Sequence, residues 1–151
     1  MNLIIDTNIF HKFFDPTHLS HKNYRSVYKC LIECKGKMFI GGSKFEKELF
    51  NGLKKYRGIL LELRRKGKLV TLPKDEVDNE VIRLKHLEAK RDFDDPHLIA
   101  CIILGSIKII CTDDSRADKY IKDSKFYPKS FKVPSIYRNF NHSHLVTACC
   151  K

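Results

Sequence analysis

Apolar residues fall along the chain in short blocks of two kinds. Leu3-Ile4-Ile5, Met38-Phe39-Ile40, Leu69–Leu72 and Ile107–Cys111 are brief runs rich in branched and aromatic side chains. Such runs predict strands buried on both faces. Between them, apolar positions recur every three or four residues, the spacing of helices. Ile9, Phe10, Phe13 and Phe14 predict a short helix ending at Asp15-Pro16, and Tyr24, Val27, Tyr28 and Leu31 one face of a helix from a Ser20 cap to Gly36. Ser43-Lys44-Phe45-Glu46 has the pattern of a capping box, opening a helix or pair of helices that Gly67 stops. Val77, Val81 and Leu84 predict an amphipathic helix over 75–90. The uncharged run Leu98–Leu104 predicts a buried helix, with Asp95 at its N-cap, Pro96 at its first position and Gly105 at its C-cap. A short helix after Asp114 and a last strand near Phe131–Val133 follow, and the tail from Pro134 has no clear period. Strands alternating with helices predict one α/β domain over 1–151. It is a three-layer α/β/α sandwich of Rossmann type around a central parallel sheet.

Length and composition fit one such domain: 151 residues bury roughly 68–70% of the unfolded surface. The net charge of +11 changes the picture, because it favours polyanionic partners such as nucleic acid or an anionic membrane surface. A merely solvated basic surface is the competing reading. No stretch approaches the roughly 18 apolar residues of a membrane span, and the opening apolar run meets Asp6 too soon for a signal peptide. Of six cysteines, Cys30, Cys101 and Cys111 sit inside apolar patterns, and Cys34 continues the face of Cys30. Buried thiols and a reducing, cytoplasmic location are therefore expected. Zinc on Cys30, Cys34, His18 and His21 is the weaker alternative, and Cys149-Cys150 has no firm reading.

The candidate chemistry lies where the strands stop. Asp6 ends the first, Asp113-Asp114 end the strand at Cys111, and Asp95 heads a helix aimed at the same region. In open α/β sheets, ligands bind beyond the carboxyl ends of the strands. Hydrolysis of a phosphodiester by metal ions needs carboxylates on one side of a pocket, and hard oxygen donors suit Mg²⁺ or Mn²⁺. Crowded without metal, these acids should repel one another and titrate above their ordinary range.

LIIDTNIF, the pair Glu48-Leu49, DDPHLIA and CTDD, in this order, resemble the PIN-domain nucleases over nearly the whole chain. The resemblance implies a PIN-like sandwich and Mg²⁺- or Mn²⁺-dependent endoribonuclease activity, often that of VapC-type toxins in toxin–antitoxin pairs. It also implies Asp6, Glu48, Asp95 and Asp114 as catalytic and metal-binding acids, Asp113 as a further ligand, and Thr7, Asn8 and Thr112 as supporting groups. The partners it brings are RNA, an antitoxin protein and a second copy in a homodimer. The tail IYRNFNHSHLV resembles stand-alone PIN proteins. Taken singly, each acid has a plainer role: Asp95 as a cap, Asp6 and Asp113-Asp114 as turn residues. Glu46 and Glu48 point about 200° apart on a helix, and the capping box would occupy Glu46. Asp92 and Asp94 read as loop carboxylates, His97 as a helix-start residue. Lys54, Lys55, Arg64 and Arg65, with Lys44 and Lys47 ahead of them, form either a solvated face or a phosphate track. Two rival functions remain: a PIN-fold nucleic-acid binder with weak or no catalysis, and a phosphate-transferring domain, which lacks both G-x-G-x-x-G and a P-loop.

Overall fold

A computed structural model describes residues 1–151. Five strands, β1 (Asn2–Ile5), β2 (Lys37–Gly41), β3 (Leu69–Leu72), β4 (Ile109–Cys111) and β5 (Ser135–Tyr137), form one sheet in the order β3-β2-β1-β4-β5, with every pairing parallel. Successive strand residues face opposite sides, so Leu3 and Ile5 enter one core and Ile4 the other. On the first side pack α1 (Phe10–Phe13), α2 (Arg25–Ile32), α3 (Ser43–Asn51), α4 (Arg57–Arg65) and the 3₁₀ tail Phe140–Cys150. On the second lie α5 (Lys74–Leu87), α6 (Pro96–Gly105) and α7 (Asp118–Ile121). This is the three-layer α/β/α sandwich that the alternation predicted. No helix is long and apolar enough to cross a membrane.

Several local expectations are corrected. The α3 N-cap is Gly42, with φ +91°; Ser43 is already helical and donates from its backbone N–H to Asp78 Oδ1 (2.9 Å). Glu46 pairs with Lys74 (3.2 Å), so there is no capping box: α5 supplies the acceptor that Glu46 would have been. A β-carbon on Gly42 would stand 2.6 Å from Val77 Cγ1, so the turn needs glycine for both conformation and space. The left-handed residue after α6 is Ser106, φ +47°. Gly105 is instead required by close packing, since its Cβ would lie 2.8 Å from Ile107 and 2.9 Å from Phe39. Ser20 does not cap a long helix. His18 Nδ1 accepts from the Ser20 N–H (3.0 Å) to start a 3₁₀ turn, Leu19–Asn23, and α2 begins only at Arg25. The last strand starts after Pro134 rather than before it, as proline has no N–H to give the ladder.

The largest correction concerns the cysteines. Cys30 is bonded to Cys149 and Cys34 to Cys150, pinning the tail to α2; only Cys101 and Cys111 are free, and both are buried. Cys30 on α2 and Cys34 just past its end face the vicinal pair of the tail, a meeting that no periodicity in the tail announced. These bonds replace the reading of Cys30 and Cys34 as thiols or as zinc ligands. A reducing compartment no longer follows from them.

Candidate active site at the carboxyl ends of β1 and β4

β1 and β4 are neighbours, with Ile5 opposite Cys111, so Asp6 and the Thr112–Asp114 segment leave the sheet side by side. The Asp6 N–H donates to the Cys111 carbonyl (2.9 Å). A short relay then crosses between the strand ends. The Asp114 N–H donates to Thr112 Oγ1 (3.1 Å), and the Thr112 hydroxyl donates to Asp6 Oδ2 (2.8 Å). Asp6 Oδ1 accepts from the Asn8 N–H (3.4 Å), which starts the 3₁₀ turn Thr7–Ile9. Glu48 reaches the same place from α3: the Thr7 hydroxyl donates to Glu48 Oε2 (2.8 Å). Thr7 and Thr112 thus each donate a hydroxyl hydrogen bond to one of the acids, Glu48 and Asp6. Asn8 contributes its backbone N–H.

Asp95 stands at the N-cap position of α6, with Pro96 at the first turn, yet its carboxylate makes no capping bond. It takes the Lys44 ammonium instead (2.9 Å), while that ammonium also donates to the Asp94 carbonyl (3.1 Å). The plain capping role therefore fails for Asp95. Asp113 pairs with Lys12 of α1, and Asp114 with Arg116 (3.1 Å). Arg138, beyond β5, clamps the segment from behind, donating to Asp118 (2.8 Å) and to the Asp114 carbonyl (3.3 Å). Asp92 lines the same pocket as Asp95 and Asp114, where Lys119 and Tyr120 hold it.

Electrostatics separates these acids. Asp6 is buried, and burial pushes its carboxyl from 3.8 up to about 6; the Thr112 and Asn8 bonds oppose the rise, and Asp95 and Glu48 add to it. Asp114 moves the other way, held below the usual carboxylate range by the Arg116 guanidinium. Uniform repulsion, with every acid raised, is thus overturned: Asp6 rises chiefly from burial, and Asp114 falls beside Arg116. Lys12 and Arg116 escape sequence reading, and Lys44 reads there only as part of a basic face, although each cation lies within six residues of a strand end or strand-end acid. His97 is buried, with Nδ1 3.8 Å from Asp95 and no hydrogen-bond partner. Burial, followed by the Lys44 charge, pushes its imidazole down to about 4, so it is neutral at pH 7.

The donors at this end of the sheet are hard oxygens, which by chemistry suit Mg²⁺ or Mn²⁺. In the present arrangement no three acidic, imidazole or thiol groups converge closely enough to hold an ion. Ligation would require Asp95 and Glu48 to exchange Lys44 and Thr7 for the metal.

Of the basic groups beyond α3, Lys54 lies over Phe50 (5.0 Å), Arg64 donates to Thr71 (2.9 Å) and Arg65 pairs with Glu62 (3.6 Å). Lys44 belongs to the acidic site rather than to a track. Comparison with family models, with curated proteins and with solved structures finds no match for this chain.

Proposed function

We propose that the chain is a metal-dependent endoribonuclease of PIN type, using Asp6, Glu48, Asp95 and Asp114 with Mg²⁺ or Mn²⁺, and that RNA is its substrate. The observation that supports this reading most is Asp95. A carboxylate at a helix N-cap that leaves the helix uncapped and faces an ammonium beside two strand-end acids supports a cation-holding role over a capping one. The basic balance of the chain supports a polyanionic substrate. In this reading the divalent ion would polarise the phosphate and lower the pKa of an attacking water. The buried Asp6 and its Thr112 relay hold one ligand fixed. A toxin role with an antitoxin partner is an extension of the same proposal and rests on the resemblance alone.

One observation favours a second reading, an RNA-binding protein with weak or no catalysis. Lys12, Lys44 and Arg116 already neutralise Asp113, Asp95 and Asp114. End-labelled single-stranded RNA, incubated with Mn²⁺ or with chelator and resolved on a denaturing gel, separates the two. The nuclease reading requires shortened products that depend on Mn²⁺. Intact RNA that is nonetheless retained in a native gel supports the binding reading.

A further inference from the structure

The opposite end of the sheet, where the strands begin, carries lysines in strand order. Lys68 precedes β3, Lys37 opens β2, Lys108 precedes β4, and Lys132 lies just ahead of β5. Backbone bonds fix this order. Lys68 accepts from Met38, Lys37 donates to Met1, Lys108 donates to Asn2, and Ser135 donates to Lys108 (2.8–3.0 Å). With strands about 4.8 Å apart, the row spans about 20 Å from β3 to β5. None of the four pairs with a carboxylate, although eleven lysine or arginine ion pairs form elsewhere. Their closeness shows at the Met1 ammonium between them. It is held below its ordinary value first by burial, then by Lys108, Lys37, Lys68 and Lys35.

Beside Lys108 and Lys132 the edge opens into a cavity of about 510 Å³, within the roughly 300–1,000 Å³ of small-ligand sites. Its lining combines the two lysines with Ser130 and Ser135, and with Phe131 and Ile107 as apolar wall. Phe131 is stacked on Tyr127 at 5.1 Å and 11°, which fixes its ring. No acid lines this cavity.

We propose that this amino-terminal edge is a binding site for single-stranded RNA, separate from the carboxylates at the far end. Phosphates lie along Lys37, Lys108 and Lys132, and one base enters the cavity against Phe131. A cationic track with an aromatic platform is the combination that holds single strands without reading their sequence. An anionic membrane is the poorer partner. Surface insertion needs exposed apolar side chains among the cations, and the large exposed ones (Leu19, Phe50, Leu61, Ile82, Leu87 and Phe140) are none of the residues of this edge.

The test is fluorescence anisotropy of a labelled oligouridine across a salt series in chelator, where no metal-dependent cleavage can occur. The Lys37→Gln/Lys108→Gln/Lys132→Gln variant should bind at least roughly tenfold more weakly at low salt, with a log–log slope shallower by about 2, at about 0.7 per lost phosphate contact. Phe131→Leu should weaken binding and leave the slope unchanged. Glutamine at Lys22, Lys85 and Lys122, which are exposed and form no ion pair, lowers the net charge equally and should change binding much less. Equal losses in the two triple variants would reduce the edge to net charge and overturn the site. So would unchanged binding in the edge variant, or capture of phosphatidylserine vesicles without RNA. Cleavage without binding at this edge refutes only this proposal, and binding here without cleavage refutes only the nuclease.

Discussion

Replacing Asp6 by Asn tests the electrostatics of the site without any substrate. The folded carboxyl titrates near 6 against 3.8 in the unfolded chain, because the folded state disfavours its charge. Stability from this group is therefore full below pH 4, falls as pH rises through 4 to 6, and stays low above 6. The shift of about 2 units corresponds to about 3 kcal/mol, and Asp6 is only 7% exposed, so solvent screens little of it. Asparagine removes that cost. It also puts an amide where two donors converge, from Thr112 and Asn8, which costs about 1 kcal/mol for one mismatched bond. Asp6→Asn should thus be the less stable protein at pH 4 and more stable by about 2 kcal/mol at pH 8. The parent alone would hide this. His97, pushed down to about 4, loses stability as pH falls through the same window, and the two effects oppose each other. The assay is urea unfolding of both proteins in chelator from pH 4 to 8, read as a difference. A difference that does not change with pH refutes the buried, charge-averse Asp6.

Other outcomes follow from the same contacts. Lys44→Gln frees Asp95, so the Mn²⁺ concentration that half-stabilises the fold should drop several-fold; an unchanged value would mean that Lys44 does not compete with metal. At a hundredfold excess over its dissociation constant, Mn²⁺ should add about 2.7 kcal/mol to the parent. Opening both cysteine pairs should cost about 4–5 kcal/mol, since each closes a loop of more than a hundred residues. Opening one should cost far less, because the other closes nearly the same loop; six thiols rather than two reacting in the denatured, unreduced protein would contradict the bonds. Neutralising Lys54, Lys55, Arg64 and Arg65 should flatten the salt dependence of RNA binding by less than the about 0.7 per charge of a full phosphate contact, because Arg64 and Arg65 already have partners; a full loss per charge would restore the helix as a track.

The sheet was legible because buried strands between amphipathic helices leave a strong local pattern. The adjacency of Asp6 and Asp114 was legible because strand ends collect at one side of a parallel sheet. What stayed hidden depended on distant partners. Asp78 takes Ser43 from Glu46, Lys44 takes Asp95 from its cap, and Cys149-Cys150 meet Cys30 and Cys34 across more than a hundred residues. The lysines of the amino edge come from four separate stretches of the sequence, and only strand order lines them up.

The most direct measurement is the rate of RNA cleavage with Mn²⁺ for the parent, Asp6→Asn, Asp95→Asn and the exposed control Asp15→Asn. The proposal expects the first two substitutions to slow cleavage by roughly a hundredfold or more, the scale of losing one electrostatic contact to a developing charge. Chelator should abolish cleavage, and Asp15→Asn should match the parent. Cleavage that persists in chelator, or at the parental rate in Asp6→Asn and Asp95→Asn, would contradict a carboxylate-held metal as the catalyst.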